Sequence, residues 1–345
     1  KPMTLILLIL SLVLGTIITM SSSHWLLAWA GLEMNTLAII PIISKQHHPR
    51  ATEAATKYFF TQATASALII FASTINAWKT GQWDISQIFT PETSTIITLA
   101  IAMKLGLAPF HFWLPEVLQG STLPIAMLIS TWQKLAPTAL LFMTINNLNQ
   151  NILLSLGLIS TLTGGWMGIN QTQTRKIMAF SSIAHMGWMF SALAMAPHLS
   201  LLILMTYLVL TSATFMALLS TTSKTLHDLG TSWTISPTLL AITMLTLLSL
   251  GGLPPLTGFL PKWLVLKELV TMNFITLSVL MALSTLPSLF FYLRMSHMTT
   301  LTLPPATMNT KHEWRFKTNN QLPITPTIIL STMALPISPL ISNLC

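Results

Sequence analysis

Apolar residues in this chain do not alternate with polar ones. They run together in long blocks separated by short polar stretches, as in Leu5–Leu14 and Leu239–Leu250. Neither block has the period of two that marks a half-buried strand or a membrane β-barrel. A bilayer core needs roughly 20 mostly apolar residues per helix. The pattern predicts eleven such segments: 3–22, 25–43, 56–78, 94–116, 122–145, 149–169, 176–196, 199–222, 237–269, 273–296 and 324–343. The first is long, and no small-x-small cleavage motif closes it before His24 and Trp25, so it is expected to stay as a helix rather than leave as a signal peptide.

Composition fits this reading. Of 345 residues, 52% are hydrophobic and 7% charged, where a soluble domain carries about 25%. So few charges cannot coat a globular surface, which excludes a soluble enzyme, a nucleic-acid binder and a disordered protein. The net charge of +8 then reads as loop charge. On the eleven-span scheme, loops on the amino-terminal side hold Lys1, Lys45, Arg50, Lys57, Arg175, Lys176, Lys224, Arg294, Lys311, Arg315 and Lys317, and the opposite side holds Lys79 and Lys267. Eleven against two places the amino terminus on the cytoplasmic side or its organellar equivalent, and the carboxyl terminus on the other. The longest loop, residues 298–323, carries His312, Glu313, Trp314, Arg315 and Lys317 and is expected at the membrane surface or against a neighbouring subunit. The single cysteine, Cys345, cannot supply an iron–sulfur cluster. No metal-ligand spacing joins His47 and His48 to other ligands, and no phosphate loop or hydroxyl nucleophile motif occurs.

Three lysines remain inside apolar spans, Lys104, Lys134 and Lys262, together with Glu33. Central charges cost about 2.5–3.5 kcal/mol each on the insertion scale, so their retention points to function. Snorkelling to an interface is the competing reading, strongest for Lys262. The chemistry that fits is proton handling: desolvation favours the neutral amine and a nearby carboxylate favours the ammonium. Glu33 is expected to pair with Lys104, with protons passing through Lys134 towards Lys262. His111 and His185 also fall within spans, either as further relays or as core imidazoles bonded to hydroxyls.

A repeat accompanies these charges. Residues 106–116 and 252–262 both obey Gly-Leu-x-Pro-x-x-x-x-Leu-Pro followed by a charge, Glu116 or Lys262, at an offset of 146 residues. By the predicted spans the second copy lies five helices after the first, so the two run in opposite senses through the membrane. Inverted repeats with helices interrupted at matching positions point to a transport site, because the interruption frees backbone groups that only protein or a water-lined cavity can satisfy. The fold expected is an all-α integral membrane protein of about 11 helices. Its parts are inverted five-helix repeats over 1–146 and 147–297, a surface loop over 298–323 and a last helix over 324–343. The symmetry is imperfect: the counterpart of Lys134 is Leu280.

The chain resembles the antiporter-like subunits of respiratory complex I, in their shorter animal mitochondrial form. The resemblance is carried by Ser23-His24-Trp25-Leu26 to Gly31-Leu32-Glu33-Met34-Asn35, Pro49-Arg50-Ala51-Thr52-Glu53-Ala54 with Lys57-Tyr58-Phe59, Met103-Lys104-Leu105-Gly106 to Pro115-Glu116, Thr131-Trp132-Gln133-Lys134, and Gly251 to Lys262. It is weakest beyond about residue 297. It implies a core membrane-arm subunit that contributes to proton translocation driven by electron transfer from NADH to ubiquinone. Glu33 would be the motif glutamate, Lys104 and Lys262 the lysines of the two broken helices, and Lys134 the central lysine. NADH, FMN, iron–sulfur clusters and ubiquinone would sit on partner subunits and none on this chain. Its partners would be other membrane-arm and accessory subunits and membrane lipids, with no nucleic acid. The mitochondrial inner membrane would be its site, with the amino terminus in the matrix and the carboxyl terminus in the intermembrane space. Family members often have three more helices. A stand-alone cation/proton antiporter and a non-pumping scaffold subunit remain the alternative readings.

Overall fold

A computed structural model describes residues 2–45, 47–87, 90–234, 237–300 and 324–337. The described residues form helices and no strand; their extended pairings are isolated bridges, His24 with Asp84 and Gln173 with Thr225. Two compact units divide the chain, residues 1–160 and 161–345.

The first unit holds α1 (Pro2–Ser21), α2 (Trp25–Ser44), α3 (Pro49–Thr80), α4 (Pro91–Leu105), α5 (Trp113–Gly120), α6 (Leu123–Ser130) and α7 (Trp132–Thr144). Its boundary with the second falls within α8 (Gln150–Gly168). Helix α3 begins earlier than the apolar run at 56. Pro49 occupies its first turn, where a missing N–H costs nothing, and the His48 imidazole caps it by accepting from Arg50 N–H. The expected span 122–145 is present as one stretch, Leu123–Asn147, long and apolar enough to cross, with Thr131 separating α6 from α7 within it. The hydroxyls of Ser130 and Thr131 both donate to the Met127 carbonyl, and such competition with the backbone bends helices. Helix α7 then starts at Trp132. Helices α1 and α2 pack closely through glycine: a Cβ on Gly31 would lie 2.9 Å from the Gly15 carbonyl oxygen. The far side of α1 is bare, with Met3 70% and Leu7 63% exposed, as a lipid-facing helix should be.

The second unit holds α9 (Thr174–Met195), α10 (Pro197–Ser220), α11 (Leu226–Thr231), α12 (Pro237–Gly251), α13 (Phe259–Thr271), α14 (Ile275–Thr299) and α15 (Ile324–Met333). The middle of helix α9 is buried all round, its few polar side chains included, so it forms the core of this unit. The surface helix α11 opens with a capping box. Partial burial pushes the Asp228 carboxyl up, but the backbone N–H groups of Thr225 and Lys224 win and hold it below the usual carboxylate range. Among the described residues, seven helical stretches are long and apolar enough to cross a membrane. The other four expected spans correspond to two broken pairs, to α8 and to α15, whose described helix ends at Met333 rather than 343. The expected loop residues His312, Glu313, Trp314, Arg315 and Lys317 lie outside the described residues, as does Cys345.

The two broken pairs coincide in register. Helices α4 and α12 start at Pro91 and Pro237, end at Leu105 and Gly251, and resume as α5 and α13 at Trp113 and Phe259, each time 146 residues apart. Both first halves end on a glycine of positive φ, Gly106 at 73° and Gly252 at 84°, a conformation that costs an L-residue with a Cβ. The Leu107 and Leu253 N–H groups then reach back to the carbonyls of Ala102 and Leu248, closing the same C-terminal cap. Between α12 and α13, Gly258 sits against the end of α12, where a Cβ would lie 1.9 Å from the Ser249 carbonyl oxygen. Gly258→Ala should therefore push the two halves apart and cost about 3 kcal/mol, the upper end of overpacking penalties. Gly251→Ala, whose Cβ would meet nothing nearer than 3.7 Å, should be tolerated. Thermal inactivation of the membrane-assembled chain tests this; equal stability of the two variants would contradict it.

Candidate functional site

Each broken helix ends inside its unit with a carbonyl that the next turn of helix would have used. In the first unit the Leu105 carbonyl accepts a hydrogen bond from Lys134 Nζ. Lys134 is 2% exposed and sits in the first turn of α7, directly after the interruption at Thr131. In the second unit the Gly251 carbonyl, 146 residues on, accepts from Lys262 Nζ at 2.9 Å. Lys262 stands in the first turn of α13, on the far side of its own break, and is partly exposed. A helix C-terminus carries partial negative charge and favours a cation, and the freed carbonyl has no lipid partner. The lysines satisfy both requirements.

Lys104 differs from these two. It lies in the last turn of α4, 5% exposed, and its Nζ has no hydrogen-bond partner among the described residues. It borders a small cavity of about 10 Å³ lined by Leu32, Asn35, Thr36, Tyr58, Gln62 and Trp113, with Gln133 and Lys134 on the α7 side. Tyr58 donates to Gln133 Oε1 at 3.4 Å. The expected Glu33–Lys104 ion pair is not formed. The ion pairs of the described residues are Lys57–Glu116 and Lys79–Glu92, both solvated, while Glu33 acts on Lys104 through space. Glu33 Oε2 is buried without a hydrogen-bond partner among the described residues, and its charge reaches both Lys104 and Tyr58 without touching either.

His111 lies in the gap between α4 and α5, 2% exposed, bonded to the Pro109 backbone and against the Phe112 ring. His185 is on the buried helix α9, with its ring 5.7 Å from that of Tyr207 and within electrostatic range of Lys262. The repeated motif's two charges part company: Glu116 is half-exposed and paired with Lys57, whereas Lys262 is turned onto the helix end. Tyr58, Gln62, Gln133 and Asn35 had no assigned role from sequence. Three of them lie within the quoted motifs, but carboxamides are common enough that only their convergence singles them out. Among the described residues, no three His, Cys, Asp or Glu side chains converge as metal ligands.

Residues 22–287 match the transmembrane family described as NADH:quinone oxidoreductase/Mrp antiporter. This chain belongs to that family. Residues 289–342 match a second family, NADH dehydrogenase subunit 2 C-terminus. Relatives in the NADH:quinone oxidoreductase/Mrp antiporter family include the NADH-ubiquinone oxidoreductase chain 2 of Salmo salar, 54% identical over 100% of this chain and 99% of its own length. The chain 2 of Struthio camelus is 55% identical over 96% of each. Among solved structures, a chain of respiratory complex I from Thermus thermophilus with bound aureothin superposes with a TM-score of 0.85 at 26% identity, covering 99% of this chain and 79% of that one. The Mrp complex from Dietzia sp. DQ12-45-1b gives 0.83 at 15% identity, over 97% and 75%, and shows the shared fold.

The seating of Lys134 has a local consequence. Removing its ammonium with Lys134→Met leaves the Leu105 carbonyl unsatisfied, and a hydrogen bond to a charged group contributes about 1.5–3 kcal/mol. Backbone amides of Gly106 and Leu107, which close the α4 cap, should then exchange with solvent deuterium roughly tenfold faster or more. Unchanged exchange would show that the lysine does not hold the helix end.

Proposed function

We infer that this chain is an antiporter-like subunit in the membrane arm of NADH–ubiquinone oxidoreductase, and that its buried lysines carry protons across the membrane as electrons pass from NADH to ubiquinone. The chain contributes to that enzyme as a subunit. The observation that carries the proton role is the seating of lysines at the ends of both broken helices in a chain otherwise poor in buried charge. A desolvated lysine needs little change in its surroundings to move between ammonium and amine. Glu33 supplies a through-space attraction for the charged form of Lys104, without the contact that would fix it there. In the second unit His185 is the titratable neighbour of Lys262. On this reading residues 1–146 and 147–297 are inverted repeats, each built round one break. The amino terminus lies in the mitochondrial matrix and the carboxyl terminus in the intermembrane space. The enzyme's NADH, FMN, clusters and ubiquinone are assigned to partner subunits, since the chain's chemistry is that of isolated lysines and carboxamides.

Lys104→Met, made in the assembled enzyme, tests the reading. The variant should assemble, yet NADH-driven proton uptake should fall by roughly tenfold or more, since a positioned proton donor contributes at least that. Glu33→Gln should give a smaller loss in the same direction. Proton uptake at the wild-type rate in Lys104→Met would refute the relay and leave the scaffold reading.

A further inference from the structure

Helix α2 is capped by an imidazole. His24 Nδ1 accepts a hydrogen bond from the Leu26 N–H at 3.2 Å, the role that an oxygen of Ser, Thr, Asp or Asn fills at most helix starts. In the same unit α4 is capped by the Thr90 hydroxyl, which accepts from the Thr93 N–H. A hydroxyl does not titrate, whereas histidine is the side chain suited to change charge between about pH 5 and pH 8. In the imidazolium both ring nitrogens are donors and none can accept. The α2 cap therefore exists only while His24 is neutral.

The surroundings of His24 offer its charged form other partners. Its ring stacks on that of Trp83, with 5.7 Å between centroids and 10° between planes, within the distance at which an indole face attracts a cation. Asp84 is bridged to His24, and the Ser86 hydroxyl donates to its carboxylate at 3.2 Å. Two backbone bonds pin this segment in place, Trp25 N–H to the Trp83 carbonyl and Ile85 N–H to the Ser23 carbonyl. The end of α1 brings only Ser21, Ser22 and Ser23, and α2 has no acid or base before Glu33. At the facing ends of α3 and α4, Lys79 and Glu92 pair with each other at 2.8 Å. The partial positive charge of the α2 start repels an imidazolium, and Asp84 attracts it.

We propose that His24 is a pH-sensitive latch on the start of α2. Neutral, it closes the first turn; protonated, it releases the Leu26 N–H and turns to Asp84 while staying on Trp83. The loosening falls on the helix that carries Glu33 and that packs through Gly31 against Gly15 of α1. With this end in the intermembrane space, where pumped protons emerge, acid there slows the subunit from its output side. That control rests on the orientation and pumping role inferred above, but the state of the cap can be read without them.

Hydrogen–deuterium exchange of the assembled enzyme tests the latch. Corrected for the intrinsic pH dependence of exchange, protection of the Leu26 amide should fall roughly fivefold between about pH 8 and pH 5, the loss expected when an N-cap is removed. Protection of Thr93, under the Thr90 hydroxyl, should stay constant. His24→Asn supplies a cap that does not titrate and should hold Leu26 protected throughout; His24→Ala should leave it unprotected throughout. Wild-type protection that is the same at both ends of the range, or that falls equally in His24→Asn, would overturn the latch. NADH oxidation by the same preparations reads the control. Acid should slow wild type roughly twofold more than His24→Asn, in line with partial fraying of one helix start. If Leu26 protection titrates but acid slows the two enzymes alike, the control of turnover is refuted and the latch stands.

Discussion

A helix that stops inside a membrane leaves carbonyls that lipid cannot satisfy, and the chemistry of this chain is organised round that constraint. The cost of an unsatisfied backbone group in hydrocarbon is several kcal/mol, which forces something polar to the break. A glycine of positive φ closes part of each end through backbone bonds, and a lysine takes the carbonyl that is left. The ammonium in turn is tolerated at depth because the helix end offers it partial negative charge. Break and buried cation thus stabilise one another, and neither would persist there alone.

The two units meet this constraint in different ways. The accepting carbonyls, of Leu105 and Gly251, are 146 residues apart, but the donors are not: Lys134 comes from the third helix after its break and Lys262 from the first turn after its own. The position matching Lys262 is Glu116, which has turned outward to Lys57. What recurs is a cation on the broken end, and the residue that delivers it is free to move. This frees Lys104, one residue before Leu105, from capping. It is left facing a polar cavity instead, the arrangement expected of a group that must change its proton.

Much of this was legible beforehand. The lysines stood out because an apolar chain with few charges makes each intramembrane one conspicuous, and Gly106 and Gly252 marked both breaks through a shared motif. The expected Glu33–Lys104 contact does not form, because depth along two spans fixes neither the distance between their side chains nor their partners; the carboxylate acts on the amine only through space. The interruption at Thr131 escaped notice because the feature that accompanies it, two hydroxyls on the Met127 carbonyl, has no signature as loud as glycine or proline. The carboxamides Asn35, Gln62 and Gln133 were invisible singly, since only their convergence on one space gives them meaning.

The central claim is that a lysine seated on a broken helix end is a working proton carrier, not a structural plug. It is tested most directly by protons taken up per electron in liposomes containing the assembled enzyme with Lys262→Met in this chain. The account predicts fewer protons per electron than wild type, or coupled turnover reduced with assembly intact. A variant that assembles and matches wild type in both yield and rate would contradict it.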